Sequence, residues 1–298
     1  MRVVTLLPAA TEIVAALGGA EDLVGISHEC DYPASITGLP RVTVTAVDTT
    51  APSEIIDAEV RRLRAAGRPV VAVEAEALRR LAPDLIITQG LCEVCAVEDG
   101  AVHRLAGTLQ PSPQILSLVA TTLAGIEEDL RAVGRAIGRD PEAAALIESL
   151  DHRLALLRSR KPSGRAAVVC IEWLDPLYLA GHWVPELVDA AGGRDVGATA
   201  GSHSVVRDWR EVGSLRADLI LVMLCGFDVE RARRELDAIR LPEARRVLST
   251  APVWLIDGNA YTSRPGPRVV EGAERVRAAL EGRELPGLER WVPSWPPS

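Results

Sequence analysis

The sequence predicts an α/β protein with two Rossmann-like lobes. Short apolar runs alternate with helical patterns in both halves of the chain, which is typical of parallel sheets covered by helices. The alternation stops over residues 120–161, where only a helical pattern is found. At 298 residues, the chain is long enough for two domains of ordinary size. We therefore expect an N-terminal lobe over residues 1–119, a long connecting helical segment over 120–161 and a C-terminal lobe with an irregular tail over 162–298.

The first lobe begins with an apolar strand that leads directly into a helix. Pro8 suits the first turn of that helix, and Gly18 with Gly19 ends it. The remaining elements follow from the same alternation of patterns. The strands are predicted at 3–7, 23–26, 70–73, 85–88 and 114–117, and the helices at 8–17, 52–66 and 76–81.

The connecting segment and the second lobe show the same signals. A helical pattern is interrupted near Gly138, and Asp140 caps a second helix that begins with Pro141. The tail from 284 to 298 is rich in Pro and Trp, and we expect it to pack as an irregular strap. Strands are predicted at 166–171, 219–223 and 253–256, and helices at 185–191, 228–239 and 267–280.

Composition and charge exclude several classes of protein. Hydrophobic residues make up 48% of the chain and charged residues 25%, and no apolar run is long enough for a transmembrane helix. We therefore expect a globular monomer that is not inserted in a membrane. The 33 basic and 41 acidic residues give a formal charge of -8, which argues against nucleic-acid binding.

The amino terminus predicts a cytoplasmic location for the chain as given. A signal peptide needs an unbroken apolar stretch, whereas Pro8 and Glu12 interrupt the run that follows Arg2. The five cysteines, an odd number, fit a reducing compartment better than a framework of disulfides.

The loops that follow the predicted strands hold the candidate site residues. In open α/β sheets, ligands bind beyond the carboxyl ends of the strands. Both lobes carry polar, thiol and aromatic side chains there, so we expect a ligand cleft between the lobes. The first lobe offers His28, Glu29, Cys30, Asp31, Tyr32, Cys92 and Cys95, and the second offers Glu172, Trp173, His182, Trp183, Cys225, Tyr261 and Arg264.

These side chains suit a large conjugated ligand that carries a metal. Trp173, Trp183 and Tyr261 provide flat apolar surfaces, and His28 and His182 can coordinate a metal or form hydrogen bonds. The alternatives are core packing for the aromatic rings and hydrogen bonds to the backbone for the histidines.

Charged residues in the same loops narrow the ligand class. Glu29, Asp31, Glu93 and Glu172 make the loops acidic, which favours a cationic or amide-bearing ligand. Arg264 can clamp a carboxylate or phosphate, or it can stabilise its own loop.

The cysteine pattern is compatible with a metal site, among other interpretations. Cys92 and Cys95 form a C-x-x-C motif, and Cys30 with His28 would complete four ligands for zinc. A redox dithiol and small buried residues are the other interpretations. We expect the protein to require no cofactor. It also contains no nucleophile elbow, phosphate-binding loop or metalloprotease motif, so we do not expect an enzyme.

Two further stretches carry a family resemblance. Residues 6–13 (Leu-Leu-Pro-Ala-Ala-Thr-Glu-Ile) with 16–18 form one, and residues 76–87, with Pro-Asp-Leu-Ile at 83–86, form the other. In these stretches the chain resembles the periplasmic-binding-protein superfamily, in its two-lobed type with a single connecting helix. The loops 28–33, 92–95, 181–183 and 264–267 are most similar to its cobalamin-binding subgroup.

The resemblance implies a substrate-binding protein of an ABC transporter for vitamin B12, haem or ferric siderophores. Family members are usually periplasmic or lipid-anchored, and an acidic residue on each lobe docks on the permease. Glu76 matches this residue in the first lobe, whereas Arg210, beside Glu211, stands at the corresponding place in the second.

Two hypotheses follow. The first is a solute-binding protein that captures a metal-bearing tetrapyrrole, with a corrinoid such as cobalamin preferred, for an ABC transporter or as an intracellular relative of such a protein. The second is a cytoplasmic metal-binding or thiol-redox protein that uses Cys30, Cys92, Cys95 and Cys225 on the same scaffold.

Overall fold

The computed structural model describes residues 1–90, 97, 99–159 and 164–295. The chain divides into two compact units. Unit 1 comprises residues 1–51, 55–120 and 124–149, and unit 2 comprises 52–54, 121–123 and 150–298.

The helices and strands of the described residues are as follows. The strands are β1 Val3–Thr5, β2 Leu23–Gly25, β3 Thr43–Thr45, β4 Val71–Val73, β5 Leu85–Gln89, β6 Gln114–Leu118, β7 Ala167–Leu174, β8 Leu177–Leu179, β9 Arg194–Asp195, β10 Val205–Val206, β11 Leu219–Val222, β12 Val253–Ile256 and β13 Leu288–Trp291. The helices are α1 Pro8–Ala16, α2 Ser53–Ala65, α3 Ala75–Leu81, α4 Asp99–Ala106, α5 Leu123–Ala136, α6 Asp140–Ser159, α7 Val184–Ala191, α8 Trp209–Ser214, α9 Val229–Ala238, α10 Pro242–Leu248, α11 Gly258–Tyr261 and α12 Val269–Leu280.

The sheet of unit 1 is parallel. Its strands have the order β2-β1-β5-β6. The strand predicted at 70–73 is present as β4, but it pairs with β3 in a separate antiparallel ribbon. The prediction that it belongs to the parallel sheet is therefore wrong. Val73 and Ala72 are half-buried, so this strand lacks the fully buried faces of a central parallel strand.

The sheet of unit 2 is mixed. Its path is β10-β8-β7-β11-β12-β13, with β9 on β7. The predicted strands β7, β11 and β12 are parallel to one another, whereas β8, β10 and β13 are antiparallel to their neighbours. A purely parallel sheet was therefore the wrong expectation for unit 2. The turn between β7 and β8 is too short for the crossover that a parallel pair requires.

The tail of the chain contributes a strand. β13 pairs with β12. The expectation of an irregular tail is therefore wrong for residues 288–291, which form a regular strand. Trp291 is 2% exposed, and its Nε1 donates to Asp237 Oδ1 at 3.0 Å. Trp295 packs edge-on against Trp291, with ring centroids 5.3 Å apart. The tryptophans therefore fix the tail to unit 2.

The long helical segment consists of two helices. α5 and α6 are separated at 137–139, where Gly138 has a left-handed φ of +69°. The interruption that the sequence predicted is present. α6 is 20 residues long and begins in unit 1 and ends in unit 2. Within the described ranges, no helix combines the length and apolar character needed to cross a bilayer.

Candidate functional site

An aromatic cluster lies at the carboxyl end of the unit 2 sheet. Trp173, near the end of β7, meets Phe227 in the loop after β11, with ring centroids 5.3 Å apart at an interplanar angle of 61°. Trp173 is half-buried, and its Nε1 is buried without a hydrogen-bond partner among the described residues. The guanidinium carbon of Arg231 lies 3.6 Å from the centroid of the Phe227 ring. Phe227 thus supports the Trp173 ring.

Phe227 was not among the site residues predicted from the sequence. It is the only phenylalanine of the chain, and it is 3% exposed. Its place in a loop after a strand was the signal that could have found it. Two predicted site residues are joined in the same region. The N–H of Cys225, in the Phe227 loop, donates to the carbonyl of Glu172, next to Trp173, at 3.1 Å. The side chains of Cys225 and Glu172 are half-buried.

His182 is fixed directly before α7. Its backbone is left-handed, with φ of +53°, and its N–H donates to the Ser202 carbonyl at 2.6 Å. The Gly201 N–H donates to the His182 carbonyl at 2.9 Å. A Cβ atom on Gly181 would lie 2.4 Å from the Ser202 carbonyl oxygen, so only glycine fits there. These contacts hold the imidazole in one place.

A second imidazole faces His182. His182 Nε2 lies 3.3 Å from His203 Nδ1, and the two rings are nearly perpendicular at 89°. Burial lowers the pKa of His182, and His203 lowers it further. The ring is therefore neutral at pH 7. No partner for His203 was predictable from the sequence, because the contact depends on the pairing of two loops about twenty residues apart.

Trp183 lies in the interior rather than at an open face. It is 5% exposed, and its Nε1 donates to the Thr262 carbonyl at 3.0 Å. The prediction of an exposed ring is therefore wrong for Trp183. Its ring lies beneath His182, with centroids 5.6 Å apart, and it ties α7 to the loop after β12. Trp183 supports His182 instead of offering a free stacking surface.

Arg264 and Tyr261 also stabilise the loop after β12. Arg264 is 7% exposed, and its Nη2 donates to Asn259 Oδ1 at 2.6 Å, which agrees with the loop-stabilising alternative. Tyr261 is half-buried, and the guanidinium carbon of Arg275 lies 3.4 Å from its ring centroid. One face of this predicted stacking ring is therefore covered. Asp257 caps α11 through the Ala260 N–H at 2.8 Å.

In unit 1, His28 lies in the loop after β2 and is held by Thr43. Thr43 Oγ1 lies 2.7 Å from His28 Nδ1 and accepts the His28 backbone N–H at 2.9 Å. Thr43 in turn donates to Ser27 Oγ at 3.1 Å. Burial, and then the Arg41 guanidinium, lower the pKa of His28. His28 Nε2 is buried and meets no hydrogen-bond partner in the described part of the chain.

The rest of this loop divides between surface and interior. Glu29, Asp31 and Tyr32 are exposed. Cys30 is buried, with Sγ 3.0 Å from Thr11 Oγ1. Arg41 Nη1 donates to the Cys30 carbonyl at 2.5 Å and to the Ser27 carbonyl at 2.9 Å, so it fixes the loop. Neither Thr43 nor Arg41 was singled out from the sequence, because Thr43 lies on β3 and Arg41 lies just before it, both outside the loop that follows β2.

The predicted zinc site receives no support from the described residues. Cys92 and Cys95 lie outside them. Across the described ranges, no three His, Cys, Asp or Glu side chains are grouped to hold a metal ion. The Cys30 thiol faces the interior, next to Thr11.

Glu76, predicted to dock on a permease, is exposed on α3. Its carboxylate pairs with Arg79 Nη1 at 2.9 Å. In unit 2, Arg210 on α8 is exposed and pairs with Glu243 Oε1 at 2.9 Å. A docking role for Glu76 stays a prediction.

A comparison with models of known protein families identifies the family of the chain. The sequence profile described as "Periplasmic binding protein" matches residues 3–238. The chain belongs to the periplasmic binding protein family. Such binding proteins take small-molecule ligands and work with ABC permeases. Membership confirms the resemblance, the fold class and the expectation of a binding protein rather than an enzyme.

A curated relative is similar in sequence over most of the chain. A curated cobalamin-binding protein of Halobacterium salinarum is 25% identical over an alignment of 292 positions, which covers 95% of this chain and 70% of the relative.

Solved structures share the same fold. A periplasmic haem-binding protein of Pseudomonas aeruginosa matches with a TM-score of 0.67 at 17% identity, covering 99% of both chains. The periplasmic vitamin B12 binding protein of Vibrio cholerae matches with a TM-score of 0.65 at 21% identity, covering 94% of this chain and 96% of that one.

Proposed function

We propose that this periplasmic binding protein captures a metal-bearing tetrapyrrole, with a corrinoid preferred over haem, as the substrate-binding component of an ABC transporter. The candidate ligand-binding residues lie in loops at the carboxyl ends of strands. The ligand is bound and released without chemical change.

The observation that carries the proposal is the Trp173 ring on Phe227. A half-buried indole at a carboxyl strand end offers a flat apolar face, and a large conjugated ring gains from such contact. Its Nε1 proton, without a partner among the described residues, is available to an acceptor on the ligand.

The two loop histidines support a ligand that carries a metal. His28 and His182 are both held by neighbours, and their pKa values are lowered. A neutral imidazole has a lone pair for a metal or for a hydrogen-bond donor. His182 is further fixed by the crowded Gly181 turn.

A corrinoid is preferred on the grounds of charge. Glu29 and Asp31 are exposed acids, which disfavour the ionised propionates of haem. Arg264, the residue predicted to clamp a carboxylate, is buried and bonded to Asn259. Similarity to a cobalamin-binding protein over 95% of the chain supports the same choice.

The transport role rests on family membership and on the exposed Glu76. We propose that the exposed Glu76 docks on a permease. Unit 2 differs from unit 1 because Arg210, a basic residue paired with Glu243, stands at the corresponding position. A Glu76→Gln variant should bind ligand normally and lose transport. Cell fractionation separates this role from the cytoplasmic location predicted from the sequence. A component of an ABC transporter should be recovered with the exported fraction, whereas recovery with the cytosol would contradict the transport role.

Ligand binding is tested by titrating the chain with cobalamin, cobinamide and haem, followed by absorption and thermal stability. A Trp173→Ala variant should bind corrinoid at least about tenfold more weakly, because it loses the stacking surface. Trp295→Ala is the matched control, since Trp295 packs on Trp291 in the tail. Absence of any spectral shift or stabilisation in the parent protein would overturn the proposal.

A further inference from the structure

The protons around His28 can be assigned from hydrogen-bond geometry. The single hydroxyl proton of Thr43 is donated to Ser27 Oγ at 3.1 Å. Thr43 Oγ1 also accepts the His28 backbone N–H. Thr43 therefore has no proton left for the ring nitrogen 2.7 Å away, so His28 Nδ1 must be the donor in that contact.

This assignment leaves an acceptor at the other ring nitrogen. With its proton on Nδ1, the neutral imidazole carries a lone pair on Nε2. Burial, followed by the charge of Arg41, lowers the pKa of His28 and so favours the neutral ring. Nε2 is buried and has no donor among the described residues. A buried acceptor is unfavourable until a donor reaches it, and a ligand can supply that donor.

A second acceptor lies beside the first. Glu29 Oε1 is 4.0 Å from His28 Nε2, and the Glu29 side chain is 43% exposed. An ionised carboxylate only accepts hydrogen bonds. A ligand group placed here must therefore donate. A primary amide, with two N–H bonds on one nitrogen, fits two neighbouring acceptors, whereas an ionised carboxylate would meet repulsion from both.

We propose that His28 Nε2 is a specificity-determining acceptor that selects ligands with amide rather than carboxylate substituents. The inference rests on the proposed function, in which the ligand is a tetrapyrrole. Corrinoids such as cobinamide carry peripheral amides, and haem carries propionates. In this arrangement Glu29 accepts a second hydrogen bond from the same amide, and Thr43 acts as a positioning residue that fixes the ring.

The tautomer itself is tested without a ligand. Two-bond proton–nitrogen correlation spectra of protein labelled with nitrogen-15 at histidine separate protonated from unprotonated ring nitrogens. At neutral pH, His28 should show a protonated Nδ1 and an unprotonated Nε2. A Thr43→Val variant should lose this preference, while His152 stays unchanged. A protonated Nε2 in the parent protein would overturn the inference.

Selectivity is tested with two corrin rings that differ in their substituents. Dissociation constants for cobinamide and for cobyrinic acid, its carboxylate counterpart, are measured for the parent protein and for His28→Phe. The parent should prefer cobinamide, and His28→Phe should reduce the ratio at least about tenfold. His103→Phe on α4 is the control and should keep the ratio. If neither corrinoid binds, the proposed function fails and this inference with it. If both bind and His28→Phe keeps the ratio, this inference alone fails.

Discussion

His182 and His203 form a pair of imidazoles on two loops of unit 2, with Nε2 of the first 3.3 Å from Nδ1 of the second. The pair exists because backbone hydrogen bonds join the loops. The His182 N–H reaches the Ser202 carbonyl, and the Gly201 N–H reaches the His182 carbonyl. The position of the His182 ring therefore depends on close approach of two backbones.

Replacing Gly181 should disrupt that approach. In Gly181→Ala the new methyl group would lie 2.4 Å from the Ser202 carbonyl oxygen, so the loops must separate. We expect the free energy of unfolding to fall by about 1–3 kcal/mol, the usual cost of overpacking. Urea denaturation measures this loss. Gly38→Ala is the control, because nothing lies within 4 Å of its Cβ position, and equal losses in both variants would contradict the prediction.

Removing the second imidazole should change the titration of the first. Burial lowers the pKa of His182 most, and His203 adds to the effect. In His203→Ala the pKa of His182 should rise toward its ordinary value, while burial keeps part of the depression. Proton NMR titration of the ring C–H signals measures the change. Ser202→Ala, which keeps the carbonyl that accepts from His182, should leave the pKa in place; a rise in that variant would show that loop movement is the cause.

Phe227 should matter for both stability and ligand binding. Phe227→Leu keeps an apolar side chain but removes the edge-to-face contact with Trp173, which is worth about 0.5–1.5 kcal/mol beyond burial. We expect a loss of that size in the free energy of unfolding and weaker corrinoid binding, because the Trp173 ring loses its support. Calorimetry and ligand titration measure the two effects. Unchanged corrinoid affinity would show that Trp173 holds its position without Phe227.

Asp129 should make unit 1 less stable as the pH rises. It is 6% exposed, and burial raises its pKa to about 6 even though it accepts the Ala120 N–H at 3.1 Å. Because this pKa lies above the value of 3.8 in an unfolded chain, the folded state binds more protons between these values. Its contribution to stability is therefore full below about pH 4 and is lost as the pH rises through about 6.

An Asp129→Asn variant isolates this contribution. The amide oxygen can still accept from Ala120, but the side chain no longer ionises. Between about pH 4 and pH 7, the stability of the variant relative to the parent should improve by about 2–3 kcal/mol, the equivalent of the pKa difference. Urea denaturation at both pH values measures it. A relative stability that does not change with pH would contradict the raised pKa.

Buried strands were predictable from the sequence, and edge strands were not. β1, β5, β7, β11 and β12 are runs of buried apolar residues, so their patterns are unambiguous. β9 and β10 have two residues each, and β13 carries the charged pair Glu289 and Arg290 between Leu288 and Trp291. Such short or mixed segments become strands only because a neighbour is there to pair with them.

The positions of the candidate site residues at strand ends were predictable from the sequence, but their contacts were not. The rule for carboxyl ends of strands found His28, Trp173 and His182. It could not separate Trp173, which stays half-exposed, from Trp183, which is buried beneath His182. That difference depends on the hydrogen bond from Trp183 to Thr262, which joins residues 79 positions apart. Contacts of this range leave no local pattern in a sequence.

The most direct test of the central claim is an equilibrium titration of the chain with cobinamide and with haem, followed by tryptophan fluorescence. Saturable binding of one cobinamide per chain, at least about tenfold tighter than haem, is the predicted result. Tighter binding of haem, or no binding of cobinamide, would contradict a function in corrinoid capture.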